Sequence, residues 1–305
     1  MADLTTKLGK LILKNPVMTA SGTYGYGKEY SEFYPLNSLG AIMVKGISPE
    51  PVYGNPMPRV CETASGMLNA IGLQNPGVEK FISNEEYMPF LRKNSATVIV
   101  NIWGKSIDDY RYVAERLDDV EGVHALEINI SCPNIKEGGI AFGTDLKVAA
   151  KVISEVRKAT SLPLITKLSP NVTKIADFAK VVVDEGSDMI SLINTLTGMA
   201  IDIETRRPKL ANVTGGLSGA AIKPVAIKMV YDVANAVDVP IIGMGGIFNA
   251  DDAIEFFLAG ADAIAVGTAN FINPTAPIDI ISGINKYLDD NQFNHINDII
   301  GKVII

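Results

Sequence analysis

Cysteine and histidine are scarce in this chain of 305 residues, which contains only Cys61, Cys132, His124 and His295. Two cysteines cannot build a disulfide framework or a thiolate metal cage, so we expect a reducing compartment and no metal centre. The two histidines stand apart from other candidate catalytic groups. Acid–base chemistry would therefore depend on Cys, Lys, Asp or Glu.

The chain also lacks long apolar segments and an excess of positive charge. No segment stays apolar for the roughly 18 residues that a membrane span needs, and residues 1–14 lack the apolar core of a signal peptide. Lys and Arg number 27 against 34 Asp and Glu, which gives a net charge of −7 and argues against a nucleic-acid partner. No linker or low-complexity tract divides the chain, so we expect one domain over residues 1–305, whose 47% hydrophobic residues can fill a large core. A reducing compartment without a membrane span or signal peptide predicts a cytoplasmic protein.

Short apolar runs recur along the chain, and amphipathic, helix-compatible stretches lie between them. The runs cover residues 16–20, 40–44, 97–102, 125–130, 164–168, 189–193, 240–244 and 263–266. The clearest amphipathic stretches cover residues 106–117, 146–156, 173–183, 224–237 and 251–259. Runs of this kind suit strands that are buried on both faces of a parallel sheet. Eight such units predict an α/β fold of the (β/α)8, or TIM-barrel, type, with a doubly wound open sheet as the alternative.

Three connections are longer than the fold requires, and each follows a predicted strand: residues 46–76, 133–144 and 195–220. They would lie at the C-terminal mouth of the barrel, where long loops commonly bind ligands. Polar or glycine residues also collect where the predicted strands end. These are Ser21, Lys45, Asn101, Asn129, Cys132, Lys167, Asn194, Thr195, Gly245, Gly246, Gly267 and Thr268.

Glycine turns follow the last two predicted strands, at Gly245-Gly246 and Gly267-Thr268. Such turns present backbone N–H groups to an anion, and barrels often bind phosphate at this place. The sequence Gly243-Met-Gly-Gly-Ile-Phe248 is not a dinucleotide fingerprint, because Phe occupies its sixth position. A mononucleotide phosphate fits better, and residues 215–219 could add further N–H donors.

Cys132 and Lys167 are each compatible with more than one role, so the type of reaction stays open at this point. Cys132 follows a buried strand between two carboxamides, which is typical of a site, although a lone cysteine often packs as a small hydrophobic side chain. Lys167 lies in an apolar strand, where it could form a Schiff base or could stay charged and stabilise a developing anion. The first chemistry would be that of an aldolase-like lyase, and the second would suit a reduced flavin.

Several motifs resemble those of the dihydroorotate dehydrogenases, in the same order, between about residues 13 and 271. The matching segments are Asn129-Ile-Ser-Cys-Pro-Asn134, Gly66 to Gly77, Lys167-Leu-Ser-Pro-Asn171, Ile193-Asn-Thr195, Gly215 to Gly219 and Gly243 to Gly246. The resemblance implies an FMN-containing barrel that oxidises dihydroorotate to orotate in pyrimidine synthesis. Cys132 and the lack of an N-terminal extension point to the soluble class. Residues 135–139 look like the NAD-linked class 1B rather than the fumarate-using class 1A.

The resemblance also implies roles for individual residues, with Cys132 as the catalytic base. FMN would be bound by Ser21, Lys45, Gly46, Asn101, Asn129, Lys167, Ile193, Gly219, Gly245, Gly246, Gly267 and Thr268. The substrate would be bound by Lys45, Asn69, Ala70, Ile71, Gly72, Leu73, Asn129, Asn194 and Thr195.

A class 1B resemblance implies a partner as well, because this chain has neither a cysteine cluster nor a dinucleotide fingerprint. Electrons would reach NAD through another subunit that carries FAD and a 2Fe–2S centre. The expected assembly is a homodimer of this chain within a heterotetramer. The rival interpretations are a Schiff-base lyase using Lys167, a phosphate-binding barrel without activity, and a flavin dehydrogenase acting on another dihydropyrimidine.

Overall fold

The computed structural model describes residues 2–131, 136–137, 140–141 and 143–305. In chain order, the strands are β1 (Thr6–Leu8), β2 (Leu11–Leu13), β3 (Val17–Thr19), β4 (Ala41–Met43), β5 (Val60–Thr63), β6 (Gly66–Asn69), β7 (Val98–Ile102), β8 (Val123–Asn129), β9 (Lys136–Glu137), β10 (Ile140–Ala141), β11 (Leu164–Lys167), β12 (Met189–Leu192), β13 (Leu196–Gly198), β14 (Ile201–Asp202), β15 (Arg207–Pro208), β16 (Gly215–Ser218), β17 (Ile241–Met244) and β18 (Ala263–Val266). The α-helices are α1 (Val78–Ser83), α2 (Met88–Lys93), α3 (Ile107–Asp118), α4 (Leu146–Ala159), α5 (Ile175–Asp184), α6 (Lys223–Ala234), α7 (Ala250–Leu258), α8 (Ala269–Ile272) and α9 (Ala276–Asp290).

Eight parallel strands close into a barrel in the order β3, β4, β7, β8, β11, β12, β17 and β18, with β18 pairing back onto β3. Each of them lies within, or overlaps, one of the eight predicted apolar runs. The (β/α)8 prediction is therefore confirmed, and the open-sheet alternative is wrong. Because all eight strands are parallel, their carboxyl ends meet at one mouth.

The barrel buries two layers of apolar side chains. The inner layer contains Met18, Met43, Ile99, Ile165 and Ile242, while a larger layer lies between the strands and the surrounding helices. The β1–β2 hairpin contributes its leucines to the inner cluster and so closes the N-terminal end of the barrel. Polar side chains are thus left to gather at the opposite end.

Local capping explains where several helices begin. Ser106 accepts a hydrogen bond from the N–H of Asp109, whose side chain bonds back to the N–H of Ser106, and this capping box begins α3. Asn249 and Asp252 repeat the arrangement at α7. Asp145 accepts from two backbone N–H groups at the start of α4. The five predicted helices are present, with bounds shifted by up to three residues.

A four-stranded antiparallel sheet in the order β13, β16, β6 and β5 stands apart from the barrel. The predicted long loops 46–76 and 195–220 supply its strands, so part of each segment is regular structure rather than irregular loop. Glycine and small polar residues in β6 and β16 hide the strand pattern, and the pairing of Gly216 with Asn69 joins distant parts of the chain. Within the described residues, no helix is long and apolar enough to cross a membrane.

Candidate active site

A cavity of about 390 Å³ opens at the C-terminal mouth of the barrel. Its size falls in the range of roughly 300–1,000 Å³ that is usual for ligand and cofactor sites. The predicted site residues that line it are Ser21, Lys45, Gly46, Asn69, Ala70, Ile71, Gly72, Leu73, Asn101, Asn129, Lys167, Ile193, Asn194, Thr195, Gly219, Gly245, Gly246, Gly267 and Thr268. Cys132 lies outside the described residues, directly after Ser131, which also lines the cavity.

Lys45, two residues beyond β4, is one of two lysines that line the cavity. Burial lowers its pKa to about 8, and the positive charges of Lys167 and Arg59 act in the same direction. Such a lysine changes charge close to neutral pH, so its ammonium is available to an anionic ligand and is stabilised by one.

Lys167 is the last residue of β11 and is 5% exposed. Its Nζ atom lies 3.7 Å from Oε2 of Glu127, a carboxylate with no solvent exposure. Glu127 also accepts hydrogen bonds from Asn101 and Ser191. Neither Glu127 nor Ser191 is among the predicted site residues, although a charged residue in the middle of the apolar run 125–130 is a usable signal.

Carboxamide side chains form a second group in the cavity. Asn194 Nδ2 donates to Oδ1 of Asn129 at 3.4 Å, and the N–H of Thr195 donates to Oδ1 of Asn194 at 2.7 Å. Asn129 is held further by the N–H of Ser131 and by the hydroxyl of Tyr110, which donates to its carbonyl oxygen. These contacts fix the direction in which each amide faces. Each amide can present a donor or an acceptor to a heterocyclic edge.

Asn171 lines the cavity as well, although no role was predicted for it from the motif that it ends. Its Nδ2 donates to the carbonyl of Thr195 and its Oδ1 accepts from the N–H of Thr197. It therefore holds the segment after β12 in place. Asn69 similarly donates to the carbonyl of Gly216 across the antiparallel sheet, at 3.4 Å.

Glycine turns form a further part of the cavity wall, where the end of β16 meets the turn after β17. Gly219 and Gly246 have φ values of +100° and +80°, which side chains rarely adopt. A Cβ atom added at Gly246 would lie 2.7 Å from Cβ of Lys223 and 3.0 Å from the carbonyl oxygen of Gly219. Thr268 donates to Ser218 at 2.8 Å and so joins the turn after β18 to this wall. Backbone at such a wall can approach a phosphate closely.

Fold and cavity together define a (β/α)8-barrel protein with a cofactor-sized site at its mouth, built from lysines, carboxamides and glycine turns. Residues 3–288 match the family model described as dihydroorotate dehydrogenase. The chain therefore belongs to the dihydroorotate dehydrogenase family.

Curated relatives match the chain over nearly its whole length. The dihydroorotate dehydrogenase B (NAD(+)) catalytic subunit of Alkaliphilus metalliredigens is 58% identical over 99% of both chains. The proteins of the same name from Desulforamulus reducens and Geotalea uraniireducens are 56% and 55% identical, over 98% and 99% of this chain and 98% of each relative. The matches thus span the barrel and the antiparallel sheet alike.

Proposed function

We propose that this chain is the catalytic subunit of an NAD-linked dihydroorotate dehydrogenase, which oxidises (S)-dihydroorotate to orotate in pyrimidine synthesis. The observation that carries the proposal is that two lysines, several carboxamides and a wall of glycine turns line one cavity. The lysines are Lys45 and Lys167, and the carboxamides include those of Asn69, Asn129 and Asn194. The identity of 55–58% to relatives named for this activity supports the choice of reaction.

The residues of the cavity fit FMN as the cofactor. The wall around Gly219 and Gly246 has no room for side chains, which suits a phosphate held by backbone N–H groups. Lys167, Asn101 and Ile193 also line the cavity and would meet the flavin ring. Bound FMN would supply the hydride acceptor, and a lysine nearby would offset the negative charge of its reduced ring.

The chain's own residues would bind and deprotonate the substrate. Asn69, Asn129 and Asn194 would hold the substrate carboxylate and ring amides, and Lys45 would add a positive charge next to that anion. Cys132 would take the proton from C5 while the hydride leaves from C6. The predicted long connection 133–144 lies partly outside the described residues. Thiolate is the reactive form, so turnover should rise toward the usual thiol pKa of about 8.5.

The Lys167–Glu127 contact argues against the lyase alternative. A Schiff-base lysine must present a free amine to the substrate, whereas Nζ of Lys167 lies 3.7 Å from the buried carboxylate of Glu127. Electrons would leave through a partner, because two cysteines cannot ligate an iron–sulfur cluster. We infer an FAD and 2Fe–2S subunit that binds a homodimer of this chain to give a heterotetramer. The term "catalytic subunit" in the names of the relatives supports a separate partner.

An anaerobic absorption spectrum of the purified chain tests the proposal. We expect flavin bands that bleach when dihydroorotate is added, and no return of colour when NAD is then added without the partner. Flavin bands that persist in dihydroorotate would redirect the assignment to other dihydropyrimidines. A colourless chain that FMN does not reconstitute would refute the flavoenzyme.

A further inference from the structure

Glu127 is a carboxylate in β8 with no solvent exposure, and its side chain contacts residues of three other strands, β7, β11 and β12. Asn101 Nδ2 donates to its Oε2 at 2.5 Å, and Ser191 Oγ donates to its Oε1 at 2.7 Å. Nζ of Lys167 lies 3.7 Å from Oε2. Both carboxylate oxygens therefore have a partner, as a buried charge requires.

Stability alone does not account for a charge at this position. The interior of such a barrel is normally filled by branched apolar side chains, and the neighbouring strand places Ile165 beside Glu127. Replacing a buried ion pair by well-packed apolar residues is often neutral or stabilising. Two of the three partners of Glu127, namely Asn101 and Lys167, line the cavity. The costly carboxylate is thus placed directly behind two residues that face the ligand.

The contacts with Glu127 determine which groups Asn101 and Lys167 can present to a ligand in the cavity. A carboxylate only accepts hydrogen bonds, so Asn101 must turn its NH₂ group toward Glu127. Its Oδ1 then points the other way, where a Cβ added at Gly46 would lie 2.6 Å from it. Lys167 is held by charge attraction in a largely desolvated position, where such attraction is strong. The second cavity lysine, Lys45, has no carboxylate within ion-pair distance among residues 2–131 and 143–305.

We propose that Glu127 is a positioning residue that holds the ammonium of Lys167 and orients the amide of Asn101 toward the bound flavin. The inference rests on the proposed function, because it takes FMN as the ligand. Glu127 acts from behind the cavity wall, and it is absent from the residues that line the cavity. Its effect on FMN must therefore pass through Lys167 and Asn101.

The variant Glu127→Gln tests this role because it removes the charge and keeps both hydrogen bonds. Its side-chain oxygen can accept from Asn101, and its NH₂ group can donate to Ser191. We expect the FMN dissociation constant, measured by the recovery of flavin fluorescence on release, to rise by at least about tenfold, as for the loss of a charge-assisted contact. Ser191→Ala is the matched control, because it removes one hydrogen bond and leaves the charge. It should change FMN affinity by less than about threefold.

A double-mutant cycle separates positioning from a general structural role. In the Lys167→Met background, Glu127→Gln should cause no further loss of FMN affinity, because the ammonium that Glu127 positions is gone. An equal loss in both backgrounds, or an unchanged FMN affinity with only a lower thermal midpoint, would overturn the proposal. If Glu127→Gln does not fold, Glu127→Asp keeps the charge and shortens its reach. A loss of about tenfold in FMN affinity then supports the proposal, and wild-type affinity refutes it.

The outcome is distinguishable from a failure of the proposed function. A wild-type chain that binds no FMN would refute the flavoenzyme itself. A wild-type chain that binds FMN and bleaches with dihydroorotate, beside a Glu127→Gln variant of equal FMN affinity, would refute only the positioning role.

Discussion

Lys167 helps to lower the pKa of Lys45, because both ammonium groups lie in one cavity. Burial is the larger cause, and together with Lys167 and Arg59 it brings this pKa to about 8. In an unfolded chain a lysine keeps its proton up to about pH 10.4. Between about pH 8 and 10 the unfolded state therefore binds more protons at this position than the folded state does. By linkage, the contribution of Lys45 to stability rises with pH across that window.

The comparison of wild type with Lys45→Met measures this contribution. The destabilising effect of the buried ammonium is fully present below pH 8 and is relieved as the pH rises. We expect the free energy of unfolding of the wild type, relative to that of the variant, to be higher at pH 9.5 than at pH 7. Denaturant unfolding of the FMN-free proteins gives both values. A difference that is independent of pH would contradict the altered pKa.

The two cysteines should differ sharply in function. Cys132→Ala should keep its flavin and lose about 10²–10⁴ in turnover, the usual contribution of a general base. Cys61 lies on β5 and is absent from the residues that line the cavity. Cys61→Ser should therefore turn over at the wild-type rate, as measured by reduction of the flavin by dihydroorotate. Near wild-type turnover in Cys132→Ala would refute its assignment as the base.

The barrel could be predicted from the sequence because its signal is local. Each strand is a short apolar run, and polar residues follow directly where the run ends, as at Lys45 and Asn194. Parallel topology then brings these ends together without further information. The helix starts were equally readable, since Ser106 and Asp109 form a capping box within four residues.

The antiparallel sheet and the role of Glu127 could not be predicted, because the contacts that specify them join distant parts of the chain. The sheet pairs Gly216 with Asn69 and Leu217 with Leu68, and residues so far apart leave no periodic pattern in either segment. Glu127 is tolerated only because three other strands supply its partners, which no local window contains. Long-range strand pairing and the compensation of a buried charge depend on the folded chain rather than on any single stretch of sequence.

A side chain at position 246 should weaken FMN binding, because the Cα atom of Gly246 lies close to neighbouring atoms of the cavity wall. Alanine there would place Cβ against Cβ of Lys223 and the carbonyl oxygen of Gly219, in a conformation with φ of +80°. Strain of about 1–3 kcal/mol should weaken FMN binding by between about 5-fold and about 150-fold. The matched control is Gly9→Ala, which also has a positive φ of +57° but has open space around it.

Gly9→Ala should lower the free energy of unfolding by about 1–2 kcal/mol, the usual cost of a left-handed alanine, and should leave FMN affinity unchanged. Flavin fluorescence gives the affinities of both variants and chemical unfolding gives their stabilities. Equal FMN affinity in the two variants would show that the wall around Gly246 does not contact the cofactor.

The substitution Asn194→Asp should weaken orotate binding more than Asn194→Ala does, although aspartate has nearly the same shape as asparagine. The amide has a fixed orientation, because Nδ2 donates to Asn129 while Oδ1 accepts from the N–H of Thr195. In Asn194→Asp, a carboxylate oxygen would replace Nδ2 and would face Oδ1 of Asn129, so that two acceptors oppose each other. The new negative charge would also lie in a cavity proposed to bind an anionic substrate. Two like charges placed side by side at a binding site repel each other, which weakens binding strongly.

We expect orotate affinity, measured from its perturbation of the flavin spectrum, to fall by about tenfold in Asn194→Ala, which loses a hydrogen bond to a charged ligand. The loss should be greater in Asn194→Asp, while FMN content stays at the wild-type level in both. Asn171→Asp is a useful comparison, because Asn171 holds backbone groups of Thr195 and Thr197 and has no proposed substrate contact. Orotate affinity that falls equally in Asn194→Asp and Asn171→Asp would indicate a general effect of negative charge and would remove Asn194 from the substrate-binding set.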